Sequence, residues 1–365
     1  MQSQSRNYDI ELLRIIAMIM IVTLHTLGQG GILASVAPSS PHYHLAWFLE
    51  IICFCAVNIY ALISGFVLCG KRFHLSRMFN LWFAVVFYTI TTTLFMFFVK
   101  RESLSLNSVL DSLFPISRSQ YWYLSAYFGV LLFSPFLNIA IKSISKETLK
   151  MVVVPGLFFL SILPTLFSSD PLFTRVGYSA IWLCVLYLVG GLIKRFDVHA
   201  MFSKKTWVTL FVLMAVITYT SKIVLIYITR NFFNIENECN VLITYISPTI
   251  VISSVALFCF CLKLKLSQIS IRLISFLAPM ALGVYIIHAN PFVWNYYIKD
   301  FAVGFIQHNA IIFTLYTVIS VVAIYVLCSG IDFIRIKFFH FLGISTLSGK
   351  IEVFIYRALK IRKET

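Results

Sequence analysis

Residues 10–28 read IELLRIIAMIMIVTLHTLG, and within them only Glu11, Arg14 and His25 can carry charge. A run of this length and polarity suits an α-helix crossing a hydrocarbon core about 30 Å thick at about 1.5 Å per residue. Similar blocks recur to the end of the chain, and ten helices can be drawn: 10–28, 47–69, 79–99, 121–141, 151–167, 179–193, 207–229, 243–262, 274–297 and 310–329. The blocks are long and do not alternate apolar with polar every second residue, which favours helices over an outer-membrane barrel.

The bulk numbers agree. Of 365 residues, 60% are apolar and 12% charged, with a mean hydropathy of +0.90. Soluble domains carry about a quarter charged residues and just under half apolar. A soluble globular domain, a disordered chain and a secreted disulfide scaffold are thereby excluded. The expected fold class is all-α: a polytopic integral membrane protein of about ten transmembrane helices, surrounded by membrane lipids.

The net charge of +15 sits in short loops and at the C-terminus. It reads as membrane orientation, so no nucleic-acid partner is expected. One set of loops holds thirteen Lys and Arg, from Lys71, Arg72 and Arg77 to Lys263, Lys265 and Arg272, before Arg6 and the seven basic residues of the tail are added. The opposite set holds six: Lys100, Arg101, Arg118, Arg175, Arg230 and Lys299. The positive-inside rule therefore places both termini in the cytoplasm. Residues 1–330 are expected to form one transmembrane domain. Residues 331–365, with Phe333, Arg335, Lys337, Phe338 and Phe341, read as a basic amphipathic cytoplasmic tail. The first apolar run contains Arg14 and lacks a small-residue cleavage site, so it is not expected to be a signal peptide.

Most of the eight cysteines lie in apolar spans. Cys53/Cys55 and Cys259/Cys261 are two residues apart, on nearly opposite helix faces, so they read as small packing residues and no metal is expected. Only Cys239 reads as loop-borne, and no disulfide framework follows.

Ionisable groups inside spans are costly and point to function. Arg14 and His25 are eleven residues apart, about three turns plus 20°, hence on one face and about 16 Å apart along the axis. Arg14 can also act as a snorkelling anchor paired with Glu11, and His25 as a buried, hydrogen-bonded side chain. His288 and Lys222 fall at similar outer depth, and Glu50 opens the second helix on the outer side. Lys222 can equally snorkel outward, and Glu50 can be an ordinary interfacial carboxylate. Trp122 opens the fourth helix, where a belt role is the plain alternative. At the inner mouth, Ser64 and Gly65 permit close approach, and Lys71, Arg72 and Arg77 can bind phosphates or simply orient the chain. A phosphate-bearing donor bound from inside and an outer chamber with a histidine base account for these groups together.

The same residues resemble the acyltransferase 3 family of membrane acyltransferases that O-acylate cell-surface carbohydrates. The first helix carries Arg14, ten residues, then His25. Residues 57–66, VNIYALISGF, are similar to the family's aromatic-rich helix ending in Ser-Gly-aromatic, and Arg72 and Arg77 match its arginine-bearing loop most closely. Residues 121–127, YWYLSAY, then SPFLN at 134–138, YLVG at 187–190 and YIIHANP at 285–291 follow in family order. Where the family often has Ser three residues before its late His, this chain has Tyr285.

The resemblance covers nearly the whole chain. It implies acyl transfer from acetyl-CoA or another acyl-CoA to a hydroxyl of a lipid-linked or surface polysaccharide, in the bacterial cytoplasmic (inner) membrane. Arg14, Arg72 and Arg77, with Ser64 and Gly65, would bind the donor. His25 would be the general base, His288 or Lys222 the oxyanion stabiliser, and Glu50 a further catalytic carboxylate. Trp122 and Asn290 would contact the acceptor. A polysaccharide or lipid transporter (or flippase) without acyl transfer is the main alternative, in which the same groups line a translocation path. The absence of a clear internal repeat weakens it. A non-enzymatic assembly subunit is a second.

Overall fold

The computed structural model describes residues 7–170, 172–235 and 239–360. Arg6 and the last basic residues of the tail, Arg362 and Lys363, lie outside them. The described residues form ten main helical segments: α1 Tyr8–Leu27, α2 Pro41–Leu68, α3 Leu75–Lys100, α4 Trp122–Ser143, α5 Lys146–Phe167, α6 Ala180–Arg195, α7 Lys204–Phe233, α8 Pro248–Cys261, α9 Gln268–His288 and α10 Ala310–Phe341. An eleventh helix, α11 Ile344–Ala358, follows. Eight of these segments are long and apolar enough to cross a membrane; α6 and α8 are shorter.

Local chemistry explains where boundaries depart from the hydropathy blocks. The first helix starts at Tyr8 because Asn7 Oδ1 accepts the free amides of Asp9 and Ile10 at 3.1 and 3.2 Å. The second begins at Pro41, not 47: Ser40 caps the amide of Tyr43 and Pro41 occupies the first turn. It also breaks at Phe54–Cys55. The eighth begins at Pro248, not 243. The irregular stretch before it is tolerated because it is buried in protein, where Asn58 Nδ2 donates to Tyr245 O at 2.8 Å and Ser161 Oγ to Ile246 O at 2.5 Å. The ninth spans 268–288, not 274–297, with a 3-10 turn at Ala278–Met280 around Pro279. It stops at His288 because Pro291 follows, and Asn290 caps the next short turn at Phe292 N.

The last span runs to Phe341, well past Ser329. Asp332, fully buried on it, accepts from Arg335 Nε at 2.8 Å and from Tyr88 OH at 2.7 Å. Arg335 is thus an internal partner as much as a tail cation. Its helix then turns at Gly343 into α11, which packs on α3 and brings Glu352 to His74 at 3.4 Å.

The centre of the bundle is α1, α2 and α6. Trp182, Leu183, Leu186 and Tyr187 of α6 are fully buried. Two glycines let α2 and α6 touch backbone to backbone. A Cβ on Gly65 would lie 1.9 Å from Tyr187 O, and one on Gly190 2.1 Å from Leu62 O. Small residues at such crossings are how membrane helices approach closely. Gly65 is therefore accounted for by packing, not donor contact. Gly190→Ala should force these helices apart, costing about 1–3 kcal/mol as overpacking does. The check is a lower unfolding temperature of the purified chain, with a smaller monodisperse fraction in gel filtration.

Candidate active site

One cavity of about 700 Å³ runs along α1, from Glu11 and Arg14 at the end expected to face the cytoplasm (the inner end) to Gly28 and Gln29 at the opposite, outer end. Its α1 wall includes residues 11, 14, 18, 21 and 25, spaced three or four apart, with Leu24 beside them and Gly28 and Gln29 just past the helix end, so largely one helix face lines the passage. Arg14 and His25 share that face and open into the same space. The other walls come from α2 (Glu50, Phe54, Tyr60, Ser64), α4 (Trp122, Tyr123, Tyr127) and α9 (Pro279, Leu282, Tyr285). The α2 break at Phe54 and the 3-10 turn at Pro279 both border it. Non-helical backbone at membrane depth is tolerated where it lines a polar cavity.

His25 Nδ1 lies 2.8 Å from His288 Nε2, and His288 Nδ1 lies 2.5 Å from Val284 O. The partners assign the protons. A carbonyl only accepts, so in neutral His288 the Nδ1 carries hydrogen and Nε2 offers a lone pair. The Nδ1 of His25 then donates, leaving its Nε2 as the free lone pair, which suits a base. Trp294 meets His25 edge to face, with centroids 4.6 Å apart. His288 is 1% exposed and stands behind His25, away from the cavity lining. That position suits orienting His25 and does not suit the oxyanion contact expected from sequence.

At the inner end, Arg14 Nη1 donates to Glu11 at 2.8 Å. Tyr60 OH donates to Arg14 O at 2.8 Å, and Ser64 Oγ to Tyr60 O at 2.8 Å. Arg72 and Arg77 line a smaller hollow on the inner face with Lys71, His74 and Asn138. The Lys71 ammonium is pushed below its ordinary value by burial, then by the charges of Arg77, Lys194 and Arg14. Lys71 therefore feels the charges of Arg77, Lys194 and Arg14, the last of which lines the main cavity.

The outer half is aromatic. Trp122 stacks on Tyr245 with centroids 6.0 Å apart and 23° between planes, and Tyr245 stacks on Phe54 at 4.7 Å. Tyr178 leans on both Trp122 and Tyr245, at 4.4 and 4.9 Å. Glu50 lines this half, 8% exposed, and its Oε2 has no hydrogen-bond partner among the described residues.

Two expected site residues lie elsewhere. Lys222 is buried between α7 and α2; its Nζ donates to Asn240 Oδ1 at 2.9 Å and sits 3.5 Å over the Trp47 ring. A lysine caged by a cation–π contact outside the cavity does not reach the reacting atoms. Asn290 is buried against Tyr121 OH at 3.0 Å while capping Phe292, a structural duty outside the main cavity. Sequence reasoning missed Trp294, Tyr178 and Tyr245. Aromatic residues near helix ends read as belt residues, and nothing local in their spacing marks them as cavity-facing.

An all-helical membrane bundle in which one member of a buried histidine pair lines a long internal cavity has the make-up of an integral membrane enzyme. The chain belongs to the acyltransferase 3 family: that acyltransferase domain matches residues 7–329. Neither a curated protein nor a solved structure matches the chain. It is a multi-pass membrane acyltransferase.

Proposed function

We propose that this acyltransferase moves an acyl group, acetyl by default, from acyl-CoA at the cytoplasmic mouth to a hydroxyl of a cell-surface or lipid-linked polysaccharide in the outer chamber, within a bacterial inner membrane. The observation that carries this reading is the single cavity joining Arg14 to His25. Arg14 stands at its inner end, and Lys71, Arg72 and Arg77 line a separate small hollow, cations suited to the phosphates of a nucleotide handle. The rise of about 16 Å from Arg14 to His25 is of the length order of a pantetheine arm.

In this reading the acceptor hydroxyl gives its proton to His25 Nε2 as its oxygen attacks the thioester carbonyl. The tetrahedral intermediate collapses, the carbon–sulfur bond breaks, and the proton on His25 passes to the departing thiolate. An ester of the glycan and free CoA thiol result, with nothing left over. The Nδ1 bond to His288 keeps the imidazole in the required tautomer throughout.

The test is mass spectrometry of surface and lipid-linked glycans from cells with and without the chain. The expected result is an unchanged glycan backbone lacking one acyl unit when the chain is deleted. Loss of the glycan itself, with acylation of the remainder intact, would overturn the reading in favour of transport.

A further inference from the structure

We infer that Glu50 and the aromatic cluster around it select the acceptor, taking a neutral or amine-bearing sugar and rejecting an acidic one. The inference rests on the acyl-transfer reading for the acceptor's role, but its binding test does not need a donor.

Three observations carry it. First, the outer half of the cavity offers a platform of near-parallel rings, Trp122 on Tyr245 and Tyr245 on Phe54, with Tyr178 tilted across them. A pyranose presents an apolar face of axial C–H groups to such rings, and ring faces carry negative potential that attracts cations and repels anions. Second, Glu50 lines the same space and is almost fully buried, with one carboxyl oxygen unpartnered among the described residues. Buried polar groups are ordinarily satisfied, so an orphaned carboxyl oxygen beside an aromatic platform marks where a ligand's hydroxyl or ammonium belongs. Third, of the described residues lining the cavity, Arg14 is the only lysine or arginine, and it stands at the opposite end. A uronic acid or other anionic sugar would lose its hydration in the outer half and meet a carboxyl and ring faces, with no cation to pair with. A neutral pyranose meets a hydrogen-bond acceptor, and an amino sugar also meets an opposite charge.

Glu50 is thereby an acceptor-binding residue. Phe54, four residues further along α2, belongs to the platform and lines the same cavity as Glu50. Selection by charge is achieved as much by what the chamber repels as by what it holds.

The test uses the full chain in zwitterionic phosphatidylcholine nanodiscs, without acyl donor. Saturation-transfer NMR measures binding of three probes: methyl β-glucopyranoside, its 2-amino counterpart and methyl β-glucuronide. The expected order is amino sugar at or above the neutral glucoside, and glucuronide weaker than the glucoside by at least about tenfold, as like charges at short range in a partly buried site produce. In Glu50→Gln, which keeps the shape and a hydrogen-bonding oxygen, that gap should shrink to within about threefold. Glucuronide binding as well as the glucoside to the unmodified chain would overturn the inference without any variant. So would an unchanged ratio in a folded Glu50→Gln chain, or no binding by any of the three probes. Adding acetyl-CoA to the same samples and weighing the glycosides by mass spectrometry reports separately on acyl transfer. The selectivity order can therefore stand where the donor reading fails, and the reverse.

Discussion

Replacing His25 with Ala should cut acyl transfer by a factor on the order of 10²–10⁴, the range that a positioned general base supplies. The variant should reach the membrane at the normal level, because His25 is partly exposed to the cavity and its removal leaves no buried charge. The donor's KM should change little, because Arg14 stands about 16 Å along the helix from the imidazole. The measurement is release of free thiol from acetyl-CoA by the purified chain in nanodiscs, with an acceptor glycan present. A rate equal to that of the unmodified chain, at equal protein level, would remove His25 from the chemistry. A proportional fall in rate and in folded protein would instead make the residue structural.

That prediction is available because the polar face of the first helix was legible from sequence. Its polar positions fall on one face by helical periodicity alone, and the structure puts Glu11, Arg14, His25 and Gly28 on one cavity wall. The all-α, multi-span architecture was legible too, since apolar length is set by the bilayer and local hydropathy reports it, although two of the ten drawn spans proved shorter than a crossing helix. Residues whose role depends on what another helix brings beside them were less accessible. Lys222 and His288 look alike in sequence, each a lone ionisable group at outer depth. One is caged by Trp47 and Asn240 outside the cavity, while the other stands within 2.8 Å of His25. Likewise Gly65 sits in a motif that resembles a ligand-approach site, yet the carbonyl of Tyr187 fills the place a ligand would need. Ends of helices moved where Pro and capping side chains, not hydropathy, decide the start: the Ser40 cap with Pro41, and Pro248 alone, each set a boundary that an apolar run cannot show.

The acyltransferase should lose nearly as much activity when His288 is replaced, although His288 does not line the cavity. In the unmodified chain Val284 O fixes a hydrogen on His288 Nδ1, and His288 Nε2 fixes one on His25 Nδ1. Removing the acceptor, as in His288→Phe, frees His25 to place its single proton on either nitrogen and to rotate away from the acceptor oxygen. Where a buried partner holds a catalytic imidazole in one tautomer, losing the correct tautomer is a large effect, so a fall in kcat on the order of 10²-fold or more is expected. The donor's KM should stay close to normal, because nothing at the inner mouth has moved. His288→Gln is the discriminating companion. Its side-chain oxygen can accept from His25 Nδ1–H while its amide donates toward Val284 O, so part of kcat should return. A purely structural role predicts otherwise: Phe and Gln would lower activity only in proportion to the folded fraction, and the Gln variant would show no recovery per folded molecule. Equal kcat in His288→Phe and the unmodified chain would show that the cavity positions His25 without this second imidazole.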